Sequence, residues 1–188
     1  MRRPHLALIT LAALPALWSC GKRAAAAPRA PDAVKRGAYL AAYGGCSDCH
    51  TPKVFTAQGP MPDTTRILAG HPADAKVPDV PAGLLGPTGW AAASTADFTT
   101  WVGPWGVSFA ANLTPDGTGL ASWSEDAFVA TMRTGKRFGV GRPLLPPMPW
   151  YSLAGLTDDD LKAIFAYLRT LKPVHNSVPG PIPPMGAK

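Results

Sequence analysis

The chain has 188 residues, which is enough for one ordinary domain once terminal segments are set aside and too little for two. Its 18 Lys and Arg against 12 Asp and Glu give a net charge of +6, but no run of five or six basic residues occurs, which excludes a nucleic-acid-binding role. The 22 Pro and 19 Gly predict few regular elements joined by long irregular connections.

Residues 1–20 have the pattern of a secretory signal peptide. Arg2 and Arg3 precede an apolar stretch over residues 6–18, which is too short to span a bilayer and contains Pro15. No later window approaches 18 uninterrupted apolar residues, so no spanning helix is expected in the mature protein. We therefore predict an exported, periplasmic protein.

Cys20 ends the motif "LWSC", which resembles the bacterial lipobox, where such a cysteine is acylated and becomes the mature N-terminus. The alternative is an ordinary signal peptide cut near Ala27, which would remove Cys20. In both cases Cys20 is not a free thiol of the folded domain. Residues 21–31 are rich in Ala and Pro and are predicted to form a disordered linker, so membrane contact is expected only through this N-terminal lipid anchor.

A first helix is predicted over residues 32–43, where apolar residues recur at helical spacing and Asp32 can cap the start. Gly37 lies in its interior, at a cost of roughly 1 kcal/mol relative to Ala. We interpret this glycine as a point of close packing against another helix.

The motif "CSDCH" follows, with Cys46, Cys49 and His50 as candidate functional residues. A thioredoxin-like redox pair would follow a strand in an alternating strand and helix pattern, whereas here a helix precedes the motif. Structural zinc needs four protein ligands, and the sequence has no second Cys or His pair. Covalent attachment of haem c fits best, because two thiols at this spacing reach the two vinyl groups of one porphyrin and the adjacent His can ligate the iron.

Residues 54–112 show neither helical nor strand periodicity. They contain Trp90, Trp101 and Trp105 among many Gly and Pro. We interpret the segment as a long irregular insertion that packs through its tryptophans, over the porphyrin edge.

Two further helices are predicted on either side of the motif "PPMPW". The first begins after Ser124, which can cap it, and ends at Gly135; Met132 on this helix is a core filler. The second begins after Thr157 and is stopped by Pro173. Its apolar face consists of Leu161, Ile164, Phe165, Leu168 and Leu171, and the first helix is its expected partner.

Met148 is the predicted sixth ligand of the iron. Pro146, Pro147 and Pro149 stiffen the backbone around its thioether, so little entropy is lost when it binds a metal. The alternatives in the mature chain are less suitable: Met61 lies only eleven residues after His50, Met132 suits a helix core, Met185 lies in a Pro-rich tail, and His71 and His175 are expected to be solvated or hydrogen-bonded loop residues.

With "CSDCH", "ANLTPD" and "GRPLLPPMPWYSLAGLTDDDLKAIFAYLRTLKP" taken together, the chain resembles bacterial class I c-type cytochromes, especially those related to the cytochrome subunits of periplasmic dehydrogenases. The resemblance covers residues 32–179, with a flexible tail expected at 180–188. It implies an all-α cytochrome c fold of about three to four helices around one haem, with long irregular loops. It also implies thioether bonds at Cys46 and Cys49 and axial ligation by His50 and Met148.

The expected function is that of a periplasmic one-electron carrier with one covalent haem c, and not of an enzyme. Its partners would be a dehydrogenase, an oxidase or another cytochrome, and the remaining basic bias would suit an acidic one. Two alternatives are a haem relay subunit of a membrane-associated dehydrogenase or oxidase complex, and a peroxidase-like haem enzyme with an exchangeable sixth ligand. The single haem motif, where dehydrogenase subunits have several, favours a free-standing or lipid-tethered carrier.

Overall fold

The computed structural model describes residues 30–184. The predicted signal peptide, Cys20, nearly all of the linker and Met185 lie outside the described residues. Within them, no helix is both long and apolar enough to cross a membrane.

The described residues form five α-helices, one short 3₁₀ helix and five strands. The helices are α1 (Ala30–Tyr43), α2 (Cys46–His50), α3 (Glu125–Thr134), α4 (Trp150–Leu153) and α5 (Asp158–Leu168), and the 3₁₀ helix is Arg137–Gly139. The strands are β1 (Lys53–Thr56), β2 (Gly59–Pro62), β3 (Ala93–Ser94), β4 (Thr100–Gly103) and β5 (Gly106–Phe109).

The prediction of an all-α fold is wrong, because two antiparallel sheets lie in the segment predicted to be irregular. One sheet is the hairpin β1-β2, and the other has the order β3-β4-β5. Each strand has two to four residues, too few to show an alternation of apolar and polar side chains. Tight connections define both hairpins, with Gly59 and Gly106 at positive φ angles of 104° and 90°.

The predicted packing of the first helix on the last one is confirmed, and Gly37 is its closest point. A Cβ atom on Gly37 would lie 1.9 Å from the carbonyl oxygen of Ala163 in α5. Arg36 adds an ion pair with Asp160 at 2.8 Å on the surface of this interface. The predicted apolar face of α5 is confirmed for Leu161, Ile164, Phe165 and Leu168, which are buried in the hydrophobic core. The helix ends at Leu168, earlier than predicted, so the partly buried Leu171 lies beyond it.

The predicted helix caps are confirmed for α3 and α5. The Ser124 hydroxyl accepts a hydrogen bond from the Ala127 amide at 3.1 Å, and the Thr157 hydroxyl accepts one from the Asp160 amide at 3.1 Å. Gly135 ends α3 in the left-handed conformation, with a φ of 65°. In contrast, Asp32 lies in the first turn of α1 and not at its cap.

The segment between α2 and α3 is attached to the body through polar side chains. The buried Thr51 hydroxyl accepts from the Leu68 amide at 2.9 Å. Asn112 donates to the carbonyl of Val174 at 2.9 Å, beyond the end of α5. Nearer the C-terminus, Ile182 pairs with Val107 of β5 through two backbone hydrogen bonds of 2.8 and 2.9 Å. These contacts join distant parts of the segment to each other and to the chain that follows α5.

Candidate functional site

The helix α2 carries the whole Cys-x-x-Cys-His motif. It begins after Gly45, which adopts the left-handed conformation, so that the chain turns sharply from α1 into the motif. Cys46 and Cys49 are both free thiols and partly buried, and Cys46 packs against the hydrophobic core. Two unpaired thiols on one helical turn are the arrangement that a doubly attached porphyrin requires.

The His50 ring is oriented by a backbone carbonyl 61 residues away. Its Nδ1 lies 2.8 Å from the carbonyl oxygen of Ala111. Because a carbonyl can only accept, Nδ1 carries the proton and Nε2 keeps a free lone pair. Burial lowers the pKa of His50, although the contact with Ala111 opposes this, so the ring is neutral at pH 7 and suited to bind a metal through Nε2.

The loop that supplies Ala111 is held against His50 by the backbone of Gly70. The Gly70 amide donates to the carbonyl of His50 at 2.7 Å. A Cβ atom on Gly70 would lie 2.5 Å from the carbonyl oxygen of Ala110, and its φ is 80°. Only glycine allows this close approach, which aligns the 110–111 backbone with the histidine ring.

Lys53 supports α2 from its C-terminal end. Its ammonium group donates to three carbonyl oxygens, those of Ser47, Asp48 and Thr51, with the bond to Asp48 at 2.9 Å. A cation at this position gives the Asp48 carbonyl, at the C-terminal end of the helix, a donor and complements the helix dipole. The motif therefore has a rigid base.

The thiol groups are protonated at neutral pH. Burial raises the pKa of Cys46, and it also raises the pKa of Cys49, although the charge of Lys53 opposes the second shift.

Met148 lies in the loop before α4 and is partly buried against the same hydrophobic core that Cys46 contacts. The Ser108 hydroxyl of β5 donates to the Pro146 carbonyl at 2.6 Å, which fixes the loop from one side. Trp150 fixes the loop from the other side, because its indole packs directly against Gly135. A Cβ atom on Gly135 would lie 2.3 Å from Cε2 of Trp150. The thioether is thus presented from a loop held at both ends.

Three of the alternative ligand candidates, two methionines and one histidine, occupy different environments. Met61 lies on β2 with half of its surface exposed, and Met132 is buried in the core of α3, as predicted. His175 is mostly exposed and lies 3.5 Å from the carboxylate of Asp116. These positions suit a surface residue, a core filler and a loop residue respectively.

His71 is a buried, hydrogen-bonded loop residue. Its Nδ1 lies 2.9 Å from the Thr99 hydroxyl and 3.0 Å from the Thr100 hydroxyl, and its Nε2 has no partner among residues 30–184. Burial lowers the pKa of His71, so the ring is neutral at pH 7. Its threonine contacts hold the 69–71 backbone on the three-stranded sheet.

The residues fit a haem better than a directly bound metal ion. In the part of the chain that the structure describes, no three His, Cys, Asp or Glu side chains converge as a metal-binding group, and this includes those of the motif. The two thiols and the imidazole do not converge on one point. This placement suits two thioether bonds to a porphyrin, with the imidazole on its iron.

Sequence reasoning missed the residues that position the site, namely the carbonyl of Ala111, Lys53 and Ser108. The stretch "CHTPK" contained a signal for Lys53, since a cation just past a short helix can cap it. Ala111 and Ser108 had none, because a backbone carbonyl and a lone serine carry no recognisable pattern.

The chain matches no model of a known protein family. It is 31% identical over 147 residues, 78% of its length, to a subunit of the nicotinate dehydrogenase of Pseudomonas putida. It is 32% identical over 71% of its length to the gluconate 2-dehydrogenase cytochrome c subunit of Pantoea cypripedii, and 29% identical over 75% to the fructose dehydrogenase cytochrome subunit of Gluconobacter japonicus.

These relatives are much longer proteins. The chain spans 9% of the first and 22% of each of the other two. The similarity therefore corresponds to one part of each relative, and the second and third of these relatives are named as cytochrome subunits of dehydrogenases.

Proposed function

We propose that the chain is a one-electron carrier with a single covalently bound haem c. Cys46 and Cys49 would form the thioether bonds, and His50 and Met148 would be the axial ligands. The observation that carries the proposal is the hydrogen bond from His50 Nδ1 to the carbonyl of Ala111. This bond leaves the lone pair of Nε2 available to bind a metal. The names of the relatives support the same cofactor class.

When bound, the haem supplies the redox chemistry, in which the iron gains or loses one electron. The residues of this chain would hold the two proposed ligands in place. Ala111 fixes the orientation of the His50 ring, Lys53 fixes the motif helix, and Ser108 restrains the loop of Met148. A methionine opposite a histidine raises the reduction potential relative to two nitrogen ligands.

The proposal is tested with the full chain produced together with a haem attachment system. Intact mass of the native protein should exceed that of the processed chain by one haem that resists denaturation. A mass that shows no haem, or haem that is released on denaturation, contradicts the cofactor assignment.

The sixth ligand is tested with Met148→Ala, with Met61→Ala as the matched control on an exposed thioether. Met148→Ala should lower the reduction potential and allow carbon monoxide to bind the reduced protein, while Met61→Ala should change neither. Carbon monoxide binding to the untreated protein would favour the alternative of a haem enzyme with an exchangeable ligand.

A second candidate is a haem relay subunit of a membrane-associated dehydrogenase complex. The specific observation in its favour is that the relatives are named as subunits of dehydrogenases. Purification of the native chain in a stable complex with a dehydrogenase would favour this candidate, and a monomer that exchanges electrons with a soluble cytochrome would favour the free carrier.

The proposed location is the periplasm, with Cys20 as the lipid attachment site. The same intact-mass measurement tests this, because acyl chains on Cys20 add to the mass and disappear in Cys20→Ala. A mature N-terminus near residue 27 contradicts lipidation.

A further inference from the structure

The loop between α3 and the Met148 segment, residues 136–143, is a rigid and closed structure that we call the basic loop. An antiparallel bridge between Lys136 and Pro143 closes it, and the Arg137 amide donates to the Arg142 carbonyl at 2.9 Å. Gly139 seats it on α3, because a Cβ atom there would lie 2.8 Å from Cβ of Ala130. The backbone of the loop is therefore closed and held against α3.

Aromatic contacts position the Arg137 guanidinium and the Phe138 ring of the basic loop. The Arg137 guanidinium lies 5.3 Å from the centre of the Trp123 ring and 4.9 Å from that of Phe138, and these two rings are 4.3 Å apart. Phe138 adopts a φ of 54°, which is unfavourable for a residue with a large side chain. The stack holds Phe138 in this conformation, with 40% of its surface exposed.

The charge of the basic loop is uncompensated. Lys136, Arg137 and Arg142 are all exposed, and none of them forms an ion pair with another described residue. Desolvation, and then the neighbouring charge of Arg137, lowers the pKa of Arg142. The guanidinium groups thus repel each other without a nearby carboxylate, and an anionic surface brought against the loop would relieve that repulsion.

Two exposed apolar side chains lie between the cations of the basic loop in sequence. Val140 is 88% exposed, and Phe138 is 40% exposed. An apolar centre inside a charged rim is the anatomy of a protein interface, where burial contributes affinity and charge guides the approach. The loop also continues directly into the segment of Met148, five residues after Pro143.

We propose that the basic loop is the docking surface for a redox partner protein that presents an acidic surface with an apolar centre. The proposal rests on the proposed electron-carrier function, and it identifies where the partner binds. The cations steer the partner to the loop, and Val140 and Phe138 are buried against it. The partner is therefore seated beside the chain segment that carries the proposed ligand.

The test measures electron transfer from reduced plant-type ferredoxin, used as an acidic protein probe, to the oxidised haem-loaded protein. Stopped-flow rate constants are recorded from low to high ionic strength. Steering by the loop predicts a rate constant that falls about tenfold or more with added salt. Lys136→Gln with Arg142→Gln should lower the low-salt rate roughly fivefold and flatten the salt dependence. This pair leaves the Arg137 stack intact, so the loop should keep its fold.

The matched control is Lys35→Gln with Lys172→Gln, which removes the same charge from two exposed lysines without ion pairs to described residues. It should change the rate less than twofold. Equal rate losses in the two double variants would mean that only net charge matters, and they would overturn the proposal. Val140→Ser should weaken ferredoxin binding with an unchanged salt dependence.

Two further readouts separate the possible failures. Haem content and reduction by dithionite are recorded first. Absence of haem contradicts the proposed function. If dithionite reduces the protein normally but the loop substitutions leave the ferredoxin rate constant unchanged, only the docking surface is contradicted. Sedimentation with phosphatidylglycerol vesicles tests a membrane role. If Lys136→Gln with Arg142→Gln abolishes vesicle binding but leaves the ferredoxin rate constant unchanged, the basic loop binds lipid, and the proposal is overturned.

Discussion

The helical body and the segment over residues 51–114 are stabilised in different ways. The buried side chains of α1, α3 and α5 are almost all apolar, among them Leu40, Phe128, Leu161 and Leu168. The buried polar side chains concentrate in the other segment, and they are Thr51, Asp63, His71, Thr99, Thr100, Ser108, Asn112 and Thr114. One region excludes water by close packing, and the other satisfies its buried polar groups through specific partners.

The two regions should respond differently to substitution. Apolar packing tolerates a change of side chain that preserves volume, because dispersion contacts have little direction. A buried hydrogen bond does not tolerate the loss of one partner, because the other then remains desolvated. The polar segment contains the groups that orient His50 and restrain the loop of Met148, where direction matters more than volume.

The largest expected effect is in the helical body. Leu161→Ala should destabilise the protein by about 3 kcal/mol, because it leaves a cavity in the core. Leu161→Met, which conserves volume, should cost under about 1.5 kcal/mol. Chemical denaturation measures both, with Val140→Ala as an exposed control, and equal losses for the two Leu161 variants would contradict packing by volume.

The polar segment is tested at Asn112, whose side-chain oxygen accepts from the amide and hydroxyl of Thr114 at 2.9 and 2.8 Å. Asn112→Ala should cost about 2 kcal/mol, since the Thr114 amide loses its acceptor and the Val174 carbonyl keeps only the longer bond from the Thr114 hydroxyl, at 3.3 Å. Asn112→Asp conserves size but loses the donor to Val174, so it should be destabilising as well. Hydrogen exchange should rise around residues 112–118 and 174–176, and unchanged exchange there in both variants would contradict the role of these bonds.

Acid should destabilise the polar segment through Asp63. Hydrogen bonds from Thr65 and then Arg66 lower the pKa of Asp63 to about 2, below its ordinary value of 3.8. The folded state therefore gains stability from the charged Asp63 above pH 4, and loses it as the pH falls toward 2, by on the order of 1 kcal/mol after solvent screening. Denaturation at pH 6 and pH 3 measures this difference, and Asp63→Asn should reduce it. An unaltered pH dependence in that variant would assign the acid sensitivity to other groups.

The smallest stability effect is expected at Ser108, where the contact to the Met148 loop is a single hydrogen bond. Ser108→Ala should cost about 0.5–1 kcal/mol, because the Pro146 carbonyl loses its donor. In the haem-loaded protein the looser loop should make carbon monoxide binding detectable in the reduced state. Ser152→Ala, in α4 and without a side-chain bond among the described residues, is the control. Identical carbon monoxide binding in both variants would mean that Ser108 does not restrain the ligand loop.

The helical half of the fold was predictable because its determinants are local. The apolar face over residues 161–168 repeats at helical spacing, and Ser124, Thr157 and Gly135 act on backbone groups within a few residues of themselves. Gly37 even indicated a close helix contact, since a glycine in a helix interior is costly without one. The sheets were missed because each strand is too short to carry a period and depends on partners outside itself.

The sequence by itself identified Cys46, Cys49 and His50 as candidate functional residues, because two thiols and an imidazole at this spacing are typical of haem c attachment. It also singled out Met148 through the surrounding prolines. Only the tertiary structure decided which nitrogen of His50 is free, because the carbonyl of Ala111 reaches the ring across 61 residues. A backbone oxygen has no side-chain signature, and its position depends on how the polar segment folds against the helices.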